Sequence, residues 1–134
     1  MRKLTFGIDL PDLFKYRNKV GIEVALEALR EAWQAGVVLA GLSAGANCWF
    51  EASTTDSFLV GKADLLADGL GFLSGSYCPH YSSEPERRPV YLNLVGSGAL
   101  PEGYACEDGS AVHFVGSELH AAVSVDGDAA AYRV

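Results

Sequence analysis

The sequence predicts an α/β core followed by a β-meander, and three observations carry that prediction. A helical pattern over residues 19–35 runs into a short apolar stretch, Val37 to Ala40, that ends in Gly41-Leu42-Ser43-Ala44-Gly45. A second helical stretch covers Pro85 to Val95. Beyond residue 103 the chain changes character, to short β-like runs separated by turn residues.

Each element has its own warrant. Leu4 to Leu10 suits a short strand, stopped by Pro11. Over Lys19 to Ala35, Ile22, Ala25, Leu26, Leu29, Ala32 and Trp33 recur at steps of three and four and share one helical face. Glu23, Glu27, Arg30 and Glu31 fall away from it, and Gly36 ends the helix. Val37 to Ala40 reads as a buried strand and Ala44 to Ala52 as the helix that follows. Ser53 to Ser57 reads as a polar turn and Phe58 to Val60 as a short strand. Gly69 and Gly71 break the apolar stretch Leu65 to Leu73 into a loop that leads to a strand. Pro79 makes Cys78-Pro79-His80 extended or turned, and Pro85 suits the first turn of the second helix. The meander comprises Tyr104–Cys106, Ser110–Val115, Leu119–Val125 and Ala129–Val134. Glu107-Asp108-Gly109, Gly116-Ser117-Glu118 and Asp126-Gly127-Asp128 turn the chain between them.

A length of 134 residues supports one domain, 1–134, with its own core. A net charge of −7 excludes nucleic acid and anionic membrane as expected partners. No apolar run reaches the length of a membrane span, and the N-terminus lacks the sustained apolar stretch of a signal peptide. Cys48, Cys78 and Cys106 are odd in number and widely spaced, so neither a disulfide framework nor a zinc site is expected. A reducing cytoplasm is the simplest setting, with no metal and no organic cofactor.

The chemistry centres on Ser43. A strand that ends in Gly-x-Ser-x-Gly and enters a helix has the form of a nucleophile elbow, which exposes the serine hydroxyl on a tight turn. Gly41 and Gly45 let the flanking backbones approach closely, and the N–H of Ala44 is placed as an oxyanion donor. A serine nucleophile needs a base, and the base an orienting acid. His80, on an extended Pro-His segment among polar residues, suits a loop-borne base. His113 and His120 lie in strand-like runs and read as surface or satisfied core histidines. Asp56, Glu51, Asp64 and Asp68 are all available as the acid, although most such carboxylates are simply solvated. Cys78, two residues from His80, is an alternative nucleophile, but nothing nearby lowers its pKa and packing is the favoured reading. Arg87 and Arg88 read either as an exposed helix start or as a guanidinium fork for a substrate carboxylate.

Taken in order, Gly-Leu-Ser-Ala-Gly-Ala-Asn, Ser-Thr-Thr-Asp-Ser, and Cys-Pro-His-Tyr with Ser-Glu-Pro-Glu-Arg-Arg resemble the peptidase E family of serine peptidases. That family includes aspartyl dipeptidases, with cyanophycinases as relatives. The resemblance implies a triad in which Ser43 is the nucleophile, His80 the base and Asp56 the acid, although the acidic member varies among relatives. It also implies short peptide substrates with N-terminal aspartate, a carboxylate-binding role for Arg87 or Arg88, and no cofactor. Family members usually carry a further α/β half before the helix that precedes the elbow, including a Gly-rich loop that donates to the oxyanion hole. The residues before the 19–35 helix hold no Gly-Gly or Gly-Gly-Asn motif. The expected architecture is therefore a truncated parallel sheet with a nucleophile elbow and a C-terminal β-meander. An elbow strand with an open edge points to assembly as a homo-oligomer. The alternative to an enzyme is a catalytically silent relative with a binding or structural role.

Overall fold

A computed structural model describes residues 19–59 and 62–134. The strand expected over Leu4 to Leu10, and Val60, lie outside the described residues. Helix α1, Lys19–Gln34, ends within a residue of its expected boundary, and Gly36 follows in the left-handed conformation at φ 81°. Its inward face is the expected one in part: Leu29 is buried and Leu26, Ala32 and Trp33 are half-buried, but Ala25 is exposed, and the Ile22 side chain lies outside the described residues. After the Ser43 turn come helix α2 (Ala44–Asn47) and strands β1 (Phe50–Leu59), β2 (Lys62–Leu66) and β3 (Leu73–Cys78). Helix α3 (Arg87–Gly96) precedes β4 (Gly103–Cys106), β5 (Ser110–Val115), β6 (Glu118–Ser124) and β7 (Ala131–Arg133).

The α/β class holds. Five strands form one sheet in the order β2-β1-β3-β4-β7. Its centre, β1-β3-β4, is parallel, and the flanking strands β2 and β7 run antiparallel to their neighbours. Strands β5 and β6 make a separate antiparallel hairpin between β4 and β7.

Four local expectations give way. Leu65 and Leu66, expected in a loop, belong to β2 and pair with Thr54 and Ser53 of β1. Val37 to Ala40 forms no ladder with any strand among the described residues, and a segment without a hydrogen-bonding neighbour there is not strand. The helix after the elbow stops at Asn47 rather than Ala52, and Phe50 already belongs to β1. Ser53 to Ser57 are strand, not turn. Ser53, Thr54 and Thr55 are buried and all pair with β2, and Ser53 also pairs with Tyr77 of β3.

Alternation along the strands divides the core between the two faces of the sheet. Tyr77 and Cys106 point into a cluster with Leu29, Trp49, Phe50 and Phe72, against which α1 and the β5–β6 hairpin pack. Phe50 stacks on Tyr77 at 4.9 Å and meets Phe114 of the hairpin edge-on at 5.9 Å. Cys78 and Ala105 point the other way, to Tyr81, Tyr91 and Leu100. There the Ser76 hydroxyl donates to the Pro101 carbonyl at 2.6 Å. Its one proton is thereby committed, so the buried Tyr91 hydroxyl donates to Ser76 Oγ at 2.7 Å. Tyr91 thus anchors α3 to the centre of the sheet.

The register of β3 on β4 decides where chemistry gathers. Tyr77 faces Tyr104 and Cys78 faces Ala105, so these parallel strands end together. The loops that leave them, beginning at Pro79 and at Glu107, emerge side by side at the carboxyl edge of the sheet. Ligand sites in open α/β sheets favour that edge.

All three cysteines are free and buried, with Cys78 fully enclosed. Burial pushes the Cys48 and Cys78 thiols up to about 11. Cys78 is therefore a packing residue and not a nucleophile. The native protein at pH 8 should react with a water-soluble aromatic disulfide only as fast as it unfolds, and all three thiols should titrate at once in denaturant. Fast native modification of Cys78 would contradict this packing.

Candidate active site

The backbone at Ser43 is the first mark of the site. Ser43 sits at φ 51°, ψ −126°, a region that non-glycine residues rarely enter. The turn is tight enough to depend on Gly41: a Cβ there would lie 1.9 Å from the Gly45 carbonyl oxygen. The Ser43 carbonyl accepts from the N–H groups of Ala46 at 2.9 Å and Asn47 at 3.1 Å, and Gly45 N–H bonds to the Leu42 carbonyl at 2.9 Å. The N–H of Ala44 takes no hydrogen bond among the described residues. It remains the available donor beside Ser43.

His80 also has a positive φ, 56°, on the loop that leaves β3. The imidazole is about a quarter exposed and is held on both sides. Its Nδ1 lies 2.6 Å from Asp108 Oδ1, and its Nε2 lies 2.9 Å from Ser43 Oγ. The tautomer follows from the acid. The Ser83 hydroxyl and His80 hold the Asp108 carboxyl below the usual aspartate range, so it is ionised at neutral pH and can only accept. The ring proton therefore sits on Nδ1. That leaves the Nε2 lone pair facing Ser43, whose hydroxyl donates to it. A serine hydroxyl bonded to an imidazole that a carboxylate orients is an arrangement that can make serine nucleophilic.

Asp108 stands on the turn between β4 and β5, where it is anchored by its neighbour Glu107. The Glu107 carboxylate accepts from the Ser82 hydroxyl, from Tyr132 at 3.1 Å and from the Ala130 N–H at 2.8 Å. Tyr81 N–H donates to the Cys106 carbonyl at 3.0 Å, stitching the two loops together. The loop of the base and the loop of the acid are thus joined by bonds other than the His80–Asp108 contact itself.

Of the residues expected from sequence, Ser43 and His80 come together and Ala44 flanks them. Asp56 does not reach His80. It lies on β1 and pairs with Arg87 at 3.0 Å. Arg87 in turn is buried at 3% exposure and bonds to the Thr54 carbonyl and Glu84, so its guanidinium is not open to a ligand. Arg88 is exposed, and its guanidinium lies over the rings of Tyr81, at 5.4 Å, and Tyr132. Glu51 accepts from the Gly75 N–H at 2.8 Å, Asp64 accepts from the adjacent Leu65 N–H at 2.7 Å, and Asp68 is exposed in a loop. His113 and His120 pack against each other on the hairpin. The residue missed from sequence is Asp108. Its signal was a carboxylate in the first turn after a short strand, but that is legible only once β4 is known to lie beside β3.

Residues 19–122 match Peptidase family S51, which is the peptidase E family. The chain belongs to this family. A Bacillus subtilis (strain 168) protein named "Uncharacterized peptidase YgaJ" is 53% identical to the S51 chain over 106 residues. That stretch is 79% of this chain and 45% of the relative, so the chain spans less than half the length of the curated relative it matches.

Acid should dismantle this cluster from the side of its carboxylates. Asp108 and Glu107 both titrate below their ordinary values of 3.8 and 4.5, the second because of the Ser82 hydroxyl first. A depressed folded value means that each group stabilises the fold fully above its ordinary value. That contribution disappears as pH falls through the lower folded value. The melting temperature should hold between about pH 7 and 5 and fall below about pH 4. Asp108→Asn should remove part of that fall. A profile identical to wild type would contradict the pairing.

Proposed function

We propose that this S51 chain is a serine peptidase of the peptidase E type, acting on short peptides with an N-terminal aspartate through Ser43, His80 and Asp108. The observation that carries the reading is the two-sided hydrogen bonding of His80, at 2.9 Å to Ser43 Oγ and 2.6 Å to Asp108. Ser43 attacks the peptide carbonyl while Nε2 of His80 takes its proton. The Nδ1–H to Asp108 bond stabilises the imidazolium that forms. The Ala44 N–H donates to the oxyanion of the tetrahedral intermediate. The imidazolium then protonates the leaving amine, and water repeats the sequence on the acyl-enzyme. This pathway requires neither metal nor cofactor.

The preference for an N-terminal aspartate is assigned to Arg88. It is exposed, it belongs to the segment beside the base, and the Tyr81 and Tyr132 rings support its guanidinium. Arg87 is already committed to Asp56 and Glu84 and is not proposed for this role.

Asp-Xaa dipeptides should be cleaved faster than Leu-Xaa or Asn-Xaa. Arg88→Met should erase the difference, at a cost of about 1.5–3 kcal/mol in kcat/KM for the acidic substrate. Asp108→Asn should lower kcat by roughly three to four orders of magnitude. Initial rates on a matched dipeptide set measure both. Equal rates on acidic and neutral peptides in the wild type would remove the substrate assignment, and full activity in Asp108→Asn would remove the triad.

Self-association is part of the same proposal. Val38 and Leu42, on the stretch before Ser43 that pairs with no strand among the described residues, are 50% and 77% exposed, and Val24 of α1 is 62% exposed. A second copy of the chain that covers this stretch would shield apolar surface and bring backbone donors toward Ser43. Light scattering at low micromolar concentration should give a dimer or larger species. An active monomer would contradict the idea.

A further inference from the structure

Arg87 and Asp56 attracted attention in the sequence as separate site residues, yet they meet each other and neither touches the Ser43–His80–Asp108 relay. A guanidinium at 3% exposure is costly to bury unless every donor is used. Here each branch has a partner. Nη2 lies 3.0 Å from Asp56 Oδ1, Nη1 donates to the Thr54 carbonyl at 3.1 Å, and Nε donates to Glu84 at 2.5 Å.

The destinations of those bonds connect the two halves of the relay. The Thr54 carbonyl also accepts from Asn47 Nδ2 at 2.9 Å, and the Asn47 N–H bonds to the Ser43 carbonyl at 3.1 Å. On the other side, the Glu84 N–H bonds to the His80 carbonyl at 3.2 Å, and Arg87 N–H bonds to the Glu84 carbonyl at 3.0 Å. An unbroken series of polar contacts therefore runs from the backbone of Ser43 through Asn47, Thr54, Arg87 and Glu84 to the backbone of His80. Ser43 and His80 are 37 residues apart and both have left-handed φ, so neither loop holds the other at hydrogen-bond distance through local geometry.

We propose that Arg87 and Asp56 form one positioning unit that fixes the distance from Ser43 to His80. The proposal rests on the peptidase reading for its effect on rate, while its structural part does not. Asp56 orients the guanidinium from the solvent side, where it is 45% exposed, and the other two branches brace the elbow against the base. A misplacement of about 1 Å between nucleophile and base can cost up to a hundredfold in rate.

Two variants test this, Asp56→Asn and Arg87→Lys. Asp56→Asn removes one charge and retains the shape of the side chain. Arg87→Lys retains the charge but lacks the fork that reaches three partners. In both, kcat should fall about tenfold to a hundredfold on Asp-Xaa and Leu-Xaa dipeptides alike, with the ratio of their KM values unchanged. The downfield proton resonance of His80 Nδ1–H, sharp in wild type, should broaden or move upfield in both while the circular dichroism spectrum stays native. A selective rise in KM for Asp-Xaa would make Arg87 a substrate reader and overturn the proposal. So would an unchanged Nδ1–H resonance, its absence from wild type, or global unfolding of both variants. If wild type hydrolyses no peptide but the resonance responds to both variants, the positioning unit stands and the peptidase reading falls. If wild type is active and the variants match it, the reverse holds.

Discussion

The site depends on one constraint: a single imidazole must be held at both nitrogens by residues from distant parts of the chain. Ser43 is 37 positions before His80, and Asp108 is 28 positions after it. No local conformation can bring them together, so the sheet has to do it. Parallel pairing of β3 with β4 ends both strands at the same level and sets the base beside the acid. The elbow reaches His80 from the other side, through β1. Each of the three positions stands just beyond a regular element or at its start, which is where an α/β sheet offers exposed side chains on a rigid frame.

Rigidity here comes from polar bonds as much as from packing. The two aromatic clusters fix the sheet and its helices, but the loops that carry His80 and Asp108 contain few large apolar residues. They are held by Glu107, which gathers Ser82, Tyr132 and the Ala130 N–H, and the His80 carbonyl accepts from the N–H of Glu84, whose carboxylate pairs with Arg87. Positive φ at Ser43 and His80 costs conformational energy, of order 1–3 kcal/mol for each such residue. These networks offset it.

Much of the architecture was legible in the sequence because it is local. The α1 pattern, the glycine after it, the Gly41–Gly45 elbow and the alternating C-terminal strands are all short-range signals, and they reappear with small shifts of boundary. Polar strand residues misled: Ser53, Thr54 and Thr55 look like a turn until β2, and for Ser53 also β3, supplies ladder partners. Val37 to Ala40, which pairs with no strand among the described residues, shows the converse, since an apolar run becomes strand only beside another strand. Asp56 and Asp108 differ for the same reason. Which carboxylate faces His80 is a question of sheet order, and the Thr-Thr-Asp motif carries Asp56 toward Arg87 instead. Nothing in the spacing of Asp108 marks it before β3 and β4 are paired.

The account turns on whether Ser43 is activated by its neighbours. Treatment of the folded chain with a fluorophosphonate, followed by peptide mapping by mass spectrometry, measures this directly. The His80–Asp108 relay predicts a single stoichiometric adduct on Ser43 at neutral pH, with the other serines unmodified. An unreactive Ser43 in a natively folded sample, or labelling scattered over exposed serines, would contradict it.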